Sequence, residues 1–164
     1  MTIELLQRAE RRRVDALATL DADDQARLGQ FFTPGRVAQL IATLPRLPEV
    51  GTLRVLDPGA GSGSLTAALV ERVLIEAPQL AVDVVTVEID PVVAPFMRDT
   101  LDDCARTASE RGVCVSTRSV VGDFIDLCTT ETPGPPLNEL FDVVIMNPPY
   151  AKLAAGSAHR KGLR

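Results

Sequence analysis

Thr52-Leu53-Arg54-Val55-Leu56-Asp57-Pro58-Gly59-Ala60-Gly61-Ser62-Gly63 is the stretch that decides the fold. An apolar run of strand length passes directly into three alternating glycines. The segment after it, Ser64 to Glu76, places Leu65, Leu69 and Val73 on one helical face. A strand that enters a glycine-rich turn and then a helix suits a nucleotide-type cofactor. Glycine lets the backbone turn tightly and approach a ligand with no Cβ in the way. The same Gly-x-Gly-x-Gly order serves dinucleotide sites, so the turn alone does not choose the cofactor.

Toward the C-terminus the alternation continues. Val82 to Glu88 reads as a second strand, and Pro91 opens a helix to about Arg111 that turns Val93, Met97, Leu101, Cys104 and Ala108 inward. Val113 to Arg118 reads as a third strand, with Gly122-Asp123-Phe124 closing the turn after it. Thr132 to Pro136 is an extended loop, and Phe141 to Met146 a fourth strand. Strands alternating with helices imply a parallel sheet with right-handed crossovers. The apolar run Val143-Val144-Ile145-Met146 suits a strand covered on both faces.

Toward the N-terminus, residues 3–20 place Ile3, Leu6, Val14, Leu17 and Leu20 at near-helical spacing. Arg8, Arg11, Arg12 and Arg13 lie opposite and read as a solvated face, with phosphate contact as the alternative. Leu28 to Pro34 is a loop whose proline starts a helix over 35–44, and Pro45, Pro48 and Gly51 mark a linker. Residues 1–50 therefore form a helical segment and 51–164 the strand–helix domain.

The chain has 164 residues and 46% hydrophobic content, which suits one domain with one core. Its net charge of −5 argues against a self-sufficient DNA binder, because backbone binding is driven by Lys and Arg neutralising phosphates. Cys104, Cys114 and Cys128 lack metal-ligand spacing and read as small hydrophobes in a reducing, cytoplasmic compartment. His159, the single histidine, lies in a polar tail and takes no catalytic role. No apolar stretch approaches a membrane span, and no signal peptide is expected.

Every chemistry-bearing motif falls at the carboxyl end of an expected strand, where ligands bind in a doubly wound sheet. Glu88 closes the second strand, where a carboxylate can accept both ribose hydroxyls; a solvated carboxylate is the other reading. Asp123 can accept from an adenine amino group while Phe124 packs on the ring. Equally, the pair can be a helix N-cap and a core residue. Phe31-Phe32-Thr33-Pro34 can be part of a site or a mere helix entry. The fourth strand ends in Asn147-Pro148-Pro149-Tyr150. Two prolines stop a strand, but that leaves Asn147 and Tyr150 without a task. The asparagine offers a side-chain carbonyl, Pro148 a backbone carbonyl and the tyrosine a ring face, which together grip a planar amine.

The ordered set Gly29 to Pro34, Asp57 to Gly63, Glu88, Asp123-Phe124 and Asn147 to Tyr150 resembles the N-terminal catalytic part of N6-adenine DNA methyltransferases. The phenylalanine–threonine–proline element ahead of the glycine loop matches the type I and type IIG restriction–modification kind. The resemblance runs from Leu28 to about Leu153. It implies a Rossmann-like class I fold dependent on S-adenosylmethionine (SAM), with an N-terminal helical segment and a mostly parallel sheet. It further implies cofactor contacts from Phe32, Thr33, Asp57, Gly59, Ala60, Gly61, Glu88, Ile89, Asp123, Phe124 and Asn147. Asn147, Pro148, Pro149 and Tyr150 would carry the transfer, with no metal.

Such a sheet has about seven strands and this chain supplies four, so the chain is expected to be a fragment or one part of a split enzyme, inactive alone. Double-stranded DNA would bind through a missing C-terminal target-recognition domain, with a specificity subunit or complementary chain as a further partner. Three competing readings stand beside this one. The first is methylation of a protein glutamine or a ribosomal RNA guanine. The second is a non-catalytic SAM-binding module completed by a partner. The third, an NAD-type oxidoreductase, gives Asn147 to Tyr150 no task.

Overall fold

The computed structural model describes residues 4–21, 32–129, 134 and 136–148. Among the described residues, helices α1 (Leu5–Thr19) and α2 (Gly35–Ala42) precede β1 (Thr52–Pro58), α3 (Ser64–Glu76), β2 (Ala81–Glu88) and α4 (Ala94–Ser109). The chain continues through β3 (Val115–Val121), α5 (Phe124–Thr129) and β4 (Val143–Val144). All the strand pairings are parallel, in the order β3-β2-β1-β4. The expected α/β architecture is therefore present, and the order reverses between β1 and β4, the place where ligands bind in doubly wound sheets.

Alternation along the strands divides the core. Leu53, Val55, Val82, Val84 and Ile145 face the α1, α2, α3 and α4 side, joining Leu5, Ala9, Ala38, Leu69 and Cys104 in one cluster. Leu56, Val85 and Val87 face the opposite side, where Phe124, Leu127, Leu137 and Phe141 pack. All five residues expected to point inward from α4 are buried. Among the described residues no helix is long and apolar enough to cross a membrane.

Helix α1 departs in part from the expected orientation. Its fully buried residues are Leu5, Ala9 and Ala16; Leu6 packs against the core as expected, Val14 is exposed, and Ile3 lies outside the described residues. Arg8 and Arg12 turn toward α4 because a carboxylate waits for them, while Arg11 is exposed and Arg13 pairs with Glu10. Asp103 on α4 has a side chain only 2% exposed. Arg8 donates Nε–H to Asp103 Oδ2 at 2.7 Å and an Nη2–H to Oδ1 at 3.1 Å, and Arg12 donates to Oδ2 at 3.1 Å. Arg106 adds a further short contact. Burial pushes the Asp103 pKa up, but the hydrogen bonds from Arg8 and Arg12 outweigh it and hold the carboxyl below its ordinary range. The solvated-face reading is therefore corrected for Arg8 and Arg12, whose heads reach the acid, and holds for the exposed Arg11.

Other differences follow from edges and turns. Strand β3 begins at Val115 rather than Val113, because Gly112 at φ 73° lets Val113 N–H close back on the Ala108 carbonyl at 3.0 Å. Its alternation of half-buried and exposed residues fits an edge strand. Strand β4 is shorter in its ladder than expected, although Asp142 N–H to Arg54 O and Ile145 N–H to Leu56 O extend the bonding by one residue each way, both at 2.9 Å. Ile145 is buried, whereas Val144 and Met146 are 57% and 40% exposed. Among the described residues β4 is covered on one face, which corrects the expectation of two. Cys104 is buried, but Cys114 and Cys128 are exposed and do not act as core hydrophobes.

Removing Arg8 leaves the buried Asp103 carboxylate to two weaker partners. Arg8→Ala is expected to cost about 2 kcal/mol in urea unfolding at neutral pH, and Arg106→Ala, on a side chain 59% exposed, under about 1 kcal/mol. Equal losses would show that the network is not centred on Arg8.

Candidate functional site

The site is built on the turn after β1. Gly59, Gly61 and Gly63 have φ of 76°, 57° and 85°, conformations that a side chain rarely adopts. Gly59 and Ala60 both donate their N–H to the Val87 carbonyl at the end of β2, at 2.8 and 2.9 Å. Gly63 then leads into α3, whose first turn contributes Ser64 and Thr66, both buried, beside buried Ser62.

Two of the glycines meet neighbours. A Cβ at Gly61 would stand 2.9 Å from the Phe32 ring, and one at Gly63 would stand 3.1 Å from Thr100 Cγ2 of α4. A Cβ at Gly59 would meet no atom of the described residues within 4 Å. Phe32 therefore reaches the glycine turn from the segment before α2. Thr33 is buried, and the Pro34 carbonyl accepts from Val37 and Ala38 to start α2. Glu10 of α1 fixes this entry by accepting the Gly35 N–H at 2.9 Å.

Glu88 ties the turns together. It is 3% exposed, Oε2 accepts the Gly61 N–H at 2.7 Å, and Oε1 accepts the Asp90 N–H at 2.9 Å. This excludes the solvated-carboxylate alternative. Burial raises its pKa, opposed by those two N–H donors and reinforced by the charge of Asp90. Ile89 is exposed beside it. The Glu88 carbonyl accepts the Gly122 N–H at 2.8 Å, which brings the turn after β3 to the same place.

Asp123 caps α5, its Oδ1 accepting from Ile125 N–H at 2.8 Å and Asp126 N–H at 3.3 Å. Phe124 packs with Leu56, Val85 and Val87. The capping reading of this pair is thus realised, with Asp123 directly after Gly122, whose N–H bonds the Glu88 carbonyl. Asn147 is half-buried and Pro148 exposed. Asn147 lies three residues past Val144, as Gly59 lies three past its register partner Leu56, so both leave the sheet at one end. Pro149 and Tyr150 lie outside the described residues.

Asp57 is fully buried under the turn. Its Oδ2 accepts from the Thr66 hydroxyl at 2.7 Å, and its Oδ1 has no hydrogen-bond partner among the described residues. Burial raises its pKa to about 7, Thr66 opposes that rise and the Glu88 charge adds to it. Sequence reasoning missed Thr66, because helical spacing within α3 cannot show that its first turn faces β1. It also missed Asp90, although Glu88-Ile89-Asp90-Pro91 is a readable turn signal: Asp90 Oδ1 accepts the Val92 N–H at 2.8 Å.

The turn's tolerance follows from these distances. Gly63→Ala combines a left-handed backbone with overlap against Thr100 and is expected to cost about 2 to 3 kcal/mol. Gly59→Ala, with the backbone strain alone, is expected to cost about 1 to 2 kcal/mol. Thermal unfolding of both variants checks the order, and a smaller loss at Gly63 would contradict the packing account.

Comparison with known proteins adds an independent finding. Residues 16–94 match the family model described as N-6 DNA Methylase. The chain is 33% identical over 146 residues to Type II methyltransferase M.BsuBI of Bacillus subtilis, covering 86% of this chain and 28% of that protein. It is 32% identical over 145 residues to Type II methyltransferase M.PstI of Providencia stuartii, covering 88% of this chain and again 28% of the relative. The chain thus spans little more than a quarter of the length of these curated relatives. Among solved structures it resembles a type I restriction-modification system methyltransferase subunit from Streptococcus thermophilus, with TM-score 0.53 and 28% identity over 80% of this chain and 26% of that one. A putative O-methyltransferase from Klebsiella pneumoniae shares the fold, with TM-score 0.52 and 20% identity over 88% of this chain and 53% of that one.

Proposed function

We propose that this chain, by sequence and fold a relative of the N6-adenine DNA methyltransferases of restriction–modification systems, holds SAM and presents it to the N6 amine of a DNA adenine. The observation that carries the reading is the knot of Gly61, Glu88 and Gly122 at the carboxyl ends of three strands. It supports a cradle for a hydroxylated, cationic nucleoside. The chemistry of the donor set fits that ligand: two buried carboxylates, one with an oxygen that has no hydrogen-bond partner among the described residues, and a Gly59 where a Cβ would meet none of their atoms within 4 Å.

SAM supplies an electrophilic methyl group on a sulfonium. Phe32, Thr33, Gly59, Ala60 and Gly61 would hold its methionine part, with Asp57 buried beneath the turn. Glu88 accepts from the ribose hydroxyls, which a carboxylate already bonded once at each oxygen retains the capacity to do. Ile89, Asp123 and Phe124 attend the adenine. The target amine is a poor nucleophile because its lone pair is delocalised into the ring. The Asn147 side-chain oxygen and the Pro148 carbonyl accept its two N–H bonds, return electron density to nitrogen and aim the lone pair. Tyr150, by its place in the motif, would stack on a base flipped from the duplex, with Pro149 as its neighbour in the same motif. Orientation and electrostatics do the work.

DNA is read by parts of the enzyme other than these residues, either a target-recognition domain or a specificity subunit. That division of labour is consistent with the net charge of −5. In the enzyme carrying this chain, Asn147→Ala is expected to leave SAM affinity within about twofold while lowering methyl transfer by about a hundredfold or more. Labelled-methyl transfer to duplex DNA, with SAM affinity measured alongside, checks this. Undiminished transfer would refute the role given to Asn147.

A further inference from the structure

The same protein treats two buried aspartates in opposite ways. Asp103 is met by three guanidinium groups. Asp57, wholly inaccessible, is met by the neutral donors of one residue, the hydroxyl and backbone N–H of Thr66 at the start of α3. Register places Thr86 of β2 beside Asp57, and Ile145, which follows β4, bonds to the neighbouring Leu56, so neither flank brings a countercharge. The charged group among the described residues that acts on Asp57 is another acid, Glu88.

Two buried acids without a balancing cation do not both ionise cheaply, and hydrogen bonding decides which one holds the charge. Glu88 receives a backbone N–H on each oxygen, whereas Asp57 Oδ1 has no hydrogen-bond partner among the described residues. The donors thus favour the anion at Glu88 and the neutral acid at Asp57.

We propose that Asp57 keeps a proton in the ligand-free protein and releases it when a cationic ligand fills the glycine cradle, which makes cofactor binding proton-linked. The release step rests on the SAM reading above; the protonated resting state does not. A cation entering a low-dielectric site favours the charged form of a nearby acid, so the Asp57 O–H bond breaks and its proton leaves to solvent. The pKa of about 7 puts this exchange in the physiological range. Thr66 acts as a positioning residue, since its hydroxyl stabilises the ionised form.

The sign also fixes the ligand-free behaviour. The folded pKa lies above the unfolded value, so the folded state holds more protons between about pH 4 and pH 7. Stability from this group is present below the unfolded pKa and is lost as pH rises through about 7.

The test is calorimetry of SAM into the protein in phosphate and in Tris, whose ionisation heats differ, from pH 6 to pH 8.5. The difference between buffers is expected to report release approaching about one proton per SAM near pH 6 and fading toward pH 8.5, with affinity rising up to about tenfold per pH unit below 7. Thr66→Val is expected to shift the release to higher pH, and Thr66→Ser to restore it. A carboxyl carbon NMR titration of ligand-free protein, assigned by Asp57→Asn, should find Asp57 titrating near neutrality. SAM binding with no buffer dependence overturns the proton linkage and leaves the cofactor reading standing. Titration near pH 4 overturns the resting state. Absence of SAM binding overturns the release step along with the cofactor reading, while a near-neutral titration would still uphold the protonated aspartate.

Discussion

The two-sided grip of the Glu88 carboxylate, on the Gly61 N–H and the Asp90 N–H, is the interaction on which the site depends. It sits at the end of β2, beside the Val87 carbonyl that accepts from Gly59 and Ala60. Together they lash the turn after β1 to the turn after β2. A glycine-rich turn has much conformational freedom to lose on folding, so fixing it in advance favours a ligand that must meet its backbone closely. The anchor is a buried acid whose pKa is raised by burial, and it is held in place by the same N–H groups that favour its charge.

The helices before the sheet serve this centre from behind. Arg8 and Arg12 fasten α1 to α4 through Asp103, and Glu10 fixes the first residue of α2. The segment entering α2 is the one that lays Phe32 against Gly61. An ion-pair network at the back of the molecule is thereby connected, through two short helices, to the covering of the glycine turn.

Much of this was legible in the sequence, because it depends on local pattern. Helix α3 could be bounded from the glycine that precedes it, and α4 from its inward stripe, since both rest on helical periodicity and turn chemistry. The relationship to N6-adenine methyltransferases was legible in the order of short motifs, and the family match and relatives bear it out. What could not be read were consequences of long-range pairing. Arg8 and Arg12 of α1 look solvated until Asp103, some ninety positions away, is seen to need them. Asp57 and Thr66 look like a strand end and a helix residue until packing joins them. The exposure of Val144 depends on what lies over that sheet face, which a run of apolar residues does not state.

The central claim is that the glycine turn and Glu88 form a site for SAM. Calorimetric titration of SAM and of NAD into the protein, repeated with Glu88→Ala, tests it most directly. The account predicts SAM binding with no comparable NAD binding, and an affinity for SAM weakened about tenfold or more in the variant. Equal binding of NAD, or SAM affinity unchanged by loss of the Glu88 carboxylate, would contradict it.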